Sequence, residues 1–481
     1  MTQASRIRRN YFFSVLSISS RLIANVIVFW IIARYYGPIV FGQFAFAQTL
    51  ATIFIIFADF GFDVLLTNEV ARNREKAINY FQQFFTLKVI FTLISIVLMW
   101  VFAILNHLTD YSKALVFVFS LYMAFTALTN FLFALYKGFE RLEYETKVSL
   151  ITNILLLLSV VILVIFQIEI IYIAFTFVLS RIIGFIIGVK YSFLILKNIS
   201  FRPSLPNFRD EKNKIFVYGF HLVFSYLFFQ LDTILLAIWK GEYEIGIYQS
   251  VFKIIMIFLV LPEIFVNTLL PALSRLNIES ITNWTKIGYL MNKVLFIVII
   301  AISICIFVFA ENIIDLIYGI QNYNDAVPIL RVFAIILFVR FNMETYALML
   351  TTANRQHVRM YSVIFASIFN VVLNCYAIPN YGVFGAAIVS LITNVLVGTI
   401  YISFTKPLFY EWLFNYKVIV TLVLSAVVAI ILWVIKDIYI FYSSPIFVGV
   451  FFAFAYFYFF SDEEKSLIFS DRFKFINLKI K

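Results

Sequence analysis

Three arginines, Arg21, Arg181 and Arg340, sit in the middle of long apolar runs. A guanidinium stays charged when partly desolvated, and its planar fork matches phosphate or carboxylate oxygens two at a time. These positions therefore point to anion recognition away from bulk water. Other ionisable groups share such surroundings: Asp59, Asp232, Glu263 and Glu344, with Lys88, Lys253 and Arg331. A charge at a bilayer centre costs about 2.5–3.5 kcal/mol on insertion scales, so each is expected to face protein or a water-filled cavity. No bond-making constellation accompanies them. Cys305 and Cys375 lie in separate apolar runs without metal-ligand spacing, and His107, His221 and His357 fall at loops or helix ends. No catalytic residue, metal site or cofactor is expected, and neither proton nor sodium is singled out as a coupling ion.

The elements that must hold these side chains follow from composition. At 63% hydrophobic and only 13% charged residues over 481 positions, the chain cannot be a water-soluble globule and reads as an all-α integral membrane protein. Apolar runs of spanning length predict about fourteen transmembrane helices: 11–33, 41–66, 85–106, 114–136, 147–167, 169–192, 215–238, 247–270, 290–310, 327–350, 360–379, 381–404, 415–436 and 440–460. Breaks fall at turn-forming stretches such as YYGPIVFG (35–42) and IPNYGVFG (378–385). Lys and Arg collect on alternate loops and both tails, with only Arg34, Lys113, Lys240 and Lys436 on the opposite loops. That bias predicts cytoplasmic termini. It also makes the net charge of +11 a matter of topology, so a nucleic-acid partner is not needed to explain it. The first apolar run is long and has no small-residue cleavage site, so it is expected to be retained as a span.

Counting rise along these helices gives depths. Arg21, Arg181 and Arg340 each come out about 15 Å from a helix end, near the midplane. Asp59 lies within about 5 Å in depth of Arg21 on the neighbouring span, which predicts an ion pair between them. Asp232 and Lys253 fall at matching depths on adjacent spans and are expected to pair, as are Arg340 and Glu344 at i,i+4. Lys253 and Arg331, in the outward half, are further candidates for contact with an anion. Lys88 is expected to snorkel and Asp63 to be solvated.

An offset of 204 residues places Gly37 and Gly42 on Gly241 and Gly246, and Asp59 on Glu263. Both halves would then enter the membrane from the same side, as a parallel repeat with an axis along the membrane normal. Asp59 and Glu263 become duplicated intramembrane anchors or gate residues, with proton coupling the alternative. Pro262 is expected to kink its helix. The predicted organisation is an N-terminal lobe (1–194), a basic cytoplasmic linker (195–214), a C-terminal lobe (215–404) and a last helix pair with a cytoplasmic tail (405–481).

ARYYGPIVFGQFAFAQTLATIFIIFADFGF (33–62) and TTANRQHVRMYSVIFASIFNVVLNCYAIPNYGVFGAAIVSLIT (351–393) resemble bacterial polysaccharide exporters, the O-antigen flippases of the Wzx type. The wider superfamily includes lipid II flippases and drug/cation antiporters. The resemblance implies two six-helix lobes that open alternately, in the bacterial cytoplasmic membrane. It implies a cargo of undecaprenyl diphosphate-linked oligosaccharide, with Arg21, Arg181 and Arg340 receiving the diphosphate. Membrane lipids, a polysaccharide polymerase and chain-length proteins are the implied partners, and the last two helices are a groove for the polyprenyl tail. Two rivals stand beside this reading. A drug/cation antiporter of the same fold should show a net acidic cavity, and a membrane polysaccharide polymerase should carry a sizeable outer loop with clustered polar side chains.

Overall fold

In hydrocarbon, every backbone amide must find its partner within the protein, which leaves the helix and the closed barrel as spanning structures. The computed structural model describes residues 3–106, 108–196, 212–413, 415–435, 440–462 and 464–465, and the regular elements among them are all helical. In chain order they are α1 (Gln3–Asp59), α2 (Phe62–Arg72), α3 (Ala77–Leu105), α4 (Asp110–Gly138), α5 (Leu142–Ile165), α6 (Ile170–Ile195), α7 (Lys212–Trp239) and α8 (Glu242–Glu279). There follow α9 (Ile281–Val308), the short α10 (Ala310–Tyr318) and α11 (Ile320–Tyr323), α12 (Ala326–Thr352), α13 (Gln356–Leu413), α14 (Tyr416–Ile435) and α15 (Ile440–Phe454). Among the described residues ten helices are long and apolar enough to cross a membrane. One stripe of α3, formed by Ile90, Ile94, Val97, Val101 and Ile104, is exposed, an arrangement that only a lipid solvent makes favourable. This is a multi-pass membrane protein.

Two of the long helices are hairpins. Gly37 (φ 74°) interrupts α1 and Gly382 (φ 56°) interrupts α13, each in a conformation that a side chain would strain. The rings of Phe29 and Phe44 lie 5.9 Å apart, whereas a straight helix would separate those positions by about 22 Å. The chain therefore turns back at the Gly-Pro step, and the arms of α1 match the expected spans 11–33 and 41–66. The second arm ends at Phe60 and Gly61, both at positive φ, and α2 continues from there.

The chain folds as two compact units, Met1–Ser250 and Val251–Lys481. The division falls inside α8. The expected divide, the basic linker, lies mostly outside the described residues. In the first unit α1 packs against α3, α4, α5 and α7, and α4 against α6. A core of Phe62, Phe81, Phe84, Phe131 and Tyr136 fills one end. In the second unit α12 packs against α9 and α13, with α14 and α15 applied to α9.

One contact inside the first unit bears on the repeat. A Cβ on Gly42 would collide with the Glu242 carbonyl oxygen, and a Cβ on Gly246 with that of Pro38. The two collisions are related by the same 204-residue offset, since 38 and 42 map onto 242 and 246. Such reciprocity, residue i on j and j on i, is what a local two-fold relation produces. The Glu242 side chain ties this crossing to α4 by accepting from the hydroxyls of Thr109 (2.8 Å) and Ser112 (3.0 Å).

Candidate functional site

The first unit holds a polar cleft of about 400 Å³, lined among others by Arg21 of α1, Asp63 and Asn68 of α2, Asn130 and Lys137 of α4, and Glu145 of α5. Its lining residue Asp63 belongs to an ion triad. Lys88 is completely buried, and its Nζ stands 2.8 Å from both Asp59 Oδ1 and Asp63 Oδ1. The break at Phe60 and Gly61 makes this possible, because it sets the two carboxylates one turn apart on separate helices. The Asp63 amide also donates to Asp59 Oδ1 (3.1 Å). A buried ammonium needs this double pairing to offset its lost hydration.

This geometry corrects three expectations. Asp59 pairs with Lys88 and not with Arg21. Lys88 does not snorkel, since its side chain points into the bundle between α1 and α2. Asp63 is held by Lys88 and is not simply solvated. Arg21 instead reaches Glu145, with its NH2 3.3 Å from Oε1, and Lys137 approaches Glu145 Oε2 at 3.4 Å. Sequence reasoning missed Glu145 and Lys137, because carboxylates and lysines at helix ends ordinarily face water. Glu145 is only 4% exposed.

Arg181, on α6, is a further half-buried guanidinium of this unit. It lies over the Tyr122 ring (5.5 Å to the centroid) and within electrostatic range of Arg21. Its Nε is buried without a hydrogen-bond partner, and no carboxylate pairs with it among the described residues. Asp232, in the same unit, is buried and accepts from the Tyr248 hydroxyl (2.7 Å).

In the second unit Arg340 is 7% exposed on α12. Arg340, Glu344 and Arg359 all lie within electrostatic reach of the Tyr401 hydroxyl, and Arg359 donates to Thr351 Oγ1 (2.6 Å). Lys253 lies near the start of this unit on α8. Arg331 lies over the Trp433 ring, 4.7 Å from its centroid. Glu263 is exposed, and α8 continues unbroken through Pro262. Among the described residues the duplication of Asp59 in Glu263 thus does not extend to a buried ion pair, since Glu263 turns away from its unit's interior.

The arrangement can bind a charged group in a low-dielectric cleft and position it. The same chain fold occurs in solved membrane transporters. The lipid II flippase MurJ in an inward-closed conformation superposes with a TM-score of 0.71 at 14% identity, covering 93% of this chain and 99% of that one. An inward-facing multidrug resistance MATE family transporter of the MOP superfamily gives a TM-score of 0.67 at 14% identity, covering 82% and 97%. The chain therefore shares the fold of these two solved membrane proteins. The model of the polysaccharide biosynthesis protein family matches residues 7–277, more than half of the sequence, and the chain belongs to that family. It is also 22% identical over 156 residues to a protein of Escherichia coli (strain K12) named "Putative O-antigen transporter". That match spans 32% of this chain and 37% of the relative's length.

Proposed function

We propose that this chain is a flippase that carries a polyprenyl diphosphate-linked oligosaccharide from the inner to the outer leaflet of the bacterial cytoplasmic membrane, with both termini cytoplasmic. The observation that carries the reading is Arg181. It is a guanidinium placed by an apolar helix beside Arg21 with no carboxylate of its own, in a chain of the polysaccharide biosynthesis family. A diphosphate crossing hydrocarbon loses hydration, and bidentate guanidinium contacts replace part of it. Arg340 supplies a second buried guanidinium on α12. Binding and release by alternating access need no covalent step, so no catalytic residue is assigned. The antiporter reading requires surplus carboxylates, whereas Asp59, Asp63 and Glu145 are balanced in number by Lys88, Arg21 and Lys137.

The test is a proteoliposome assay in which a fluorescent diphosphate-linked oligosaccharide becomes accessible to an external quencher as it is moved. Arg181→Ala and Arg340→Ala are each expected to reduce the rate at least tenfold with unchanged reconstitution. Wild-type rates in both variants would overturn the proposal.

A further inference from the structure

The second unit carries a slot of about 260 Å³ on α9, α12 and α14, lined almost wholly by apolar side chains. Three of them, Phe307, Ile335 and Leu422, are exposed on the surface that faces lipid. Two lining groups break the pattern: the hydroxyls of Ser303 and Ser425 are buried and have no hydrogen-bond partner. A helical serine ordinarily donates to a carbonyl one turn earlier, so two unmatched donors in one slot are a cost that an acceptor in the slot would remove.

A cation stands at one end of this slot. Arg331 precedes the lining residues Ala334 and Ile335 by one turn of α12. Its guanidinium lies over Trp433, whose ring is 6.1 Å from that of Phe307, itself a wall of the slot. Arg331 Nε is buried and unpartnered, and no carboxylate pairs with Arg331 among the described residues. The sequence therefore runs from a cation near a helix end, through an interfacial tryptophan, to a hydroxyl and then an apolar channel.

We propose that this slot is a binding site for an acidic diacyl phospholipid, with the phosphate on Arg331, an ester carbonyl accepting from Ser303 and one acyl chain in the channel. The ester separates this occupant from a polyprenyl phosphate, which has no acceptor beneath its head group to meet Ser303. Mass action favours the same choice, because the slot faces the bilayer, where phospholipid is the solvent. The bound lipid joins α14 to α9 and α12 where direct side-chain packing leaves a gap.

The experiment uses the full chain in nanodiscs of phosphatidylcholine alone or mixed with phosphatidylglycerol, followed by native mass spectrometry and lipid extraction after detergent release. The wild-type chain is expected to retain phosphatidylglycerol over phosphatidylcholine, whose choline cation cancels the phosphate charge and is repelled by Arg331, by about tenfold, the scale of one charge interaction. Arg331→Gln should abolish the preference, and Arg331→Lys should keep part of it. Ala426→Phe, which fills the channel and leaves the charge, should lose both lipids. Equal retention of the two lipids by the wild-type chain would overturn the proposal, as would an unchanged preference in Arg331→Gln or recovery of a polyprenyl phosphate in place of a diacyl lipid.

Discussion

Lys88→Met is the most exacting perturbation of the first unit. The substitution keeps the length and apolar stem of the side chain and removes only the ammonium that Asp59 and Asp63 share at 2.8 Å each. Removing one partner of a buried ion pair costs about 3–5 kcal/mol, because the other charge stays buried. Here two carboxylates would be left facing each other. At roughly 2–4 °C per kcal/mol for a unit of this size, the melting temperature should fall by about 6–20 °C. The assay is fluorescence-detected size exclusion after heating in detergent. Asp63→Asn removes the surplus negative charge and leaves the Lys88–Asp59 pair, so it should change stability by about 1 kcal/mol or less. The triple variant Lys88→Met, Asp59→Asn, Asp63→Asn should recover most of the loss, since neutral partners carry no unmatched charge. A Lys88→Met chain as stable as wild type would refute the reasoning, and so would Asp63→Asn costing as much as Lys88→Met.

Other expectations follow from single contacts. Gly42→Ala should sharply lower the monodisperse fraction on size exclusion, whereas Gly241→Ala, whose Cβ would meet nothing within 4 Å, should leave it unchanged. Glu145→Gln frees Arg21 and Lys137 from their shared carboxylate and should tighten binding of a diphosphate lipid, by about tenfold in a titration if one charge-assisted pair is gained. Glu464 opposes burial with hydrogen bonds from Lys293 and the Ser461 amide, which hold its carboxyl below the usual value of 4.5. A carboxyl depressed by folding stabilises above its unfolded value and loses that contribution as pH falls through the folded one. The protection factor of the Ser461 amide, taken against the intrinsic exchange rate at each pH, should therefore fall on acidification below the ordinary carboxylate range, and Glu464→Gln should remove that change.

The hairpins at Gly37 and Gly382 are legible in the sequence because turn residues interrupt apolar runs and because few residues adopt their backbone angles. The 204-residue offset is legible in two glycines, and the reciprocal crossing of Gly42 and Gly246 explains why glycine stands at both. The partners of the buried charges are not legible, for a geometric reason. Rise per residue fixes depth, but depth says nothing about which way a side chain points around its helix. Depth alone matches Arg21 to Asp59, whereas Asp59 faces α3 and Arg21 faces α5. A lysine near a helix end snorkels when free to do so, and Lys88 departs from that expectation because two carboxylates draw it inward. Glu145 carries a signal in its place on α5, where one turn of sequence takes it from the helix end into the bundle.

The charges of the first unit bear on the sign of the ligand that the proposed function would bring to Arg181. Asp59 and Asp63 share Lys88, Glu145 takes Arg21 and Lys137, and Glu143 takes Arg9 and Arg141. Arg181, on α6, stands outside these pairings. The face of Tyr122 is worth about 0.5–2 kcal/mol to a guanidinium, less than the roughly 2.5–3.5 kcal/mol that an intramembrane cation costs, and the nearby charge of Arg21 widens the difference. An anion at Arg181 would close that gap, while a cation would enlarge it. On the proposed reading the carboxylates can stay matched without defeating the site, because they cancel Lys88, Arg21 and Lys137 and leave Arg181 for the cargo. If the chain carries the cargo proposed above, the phosphate-bearing head group would be drawn to Arg181 by the electrostatic cost that the folded chain carries in its absence.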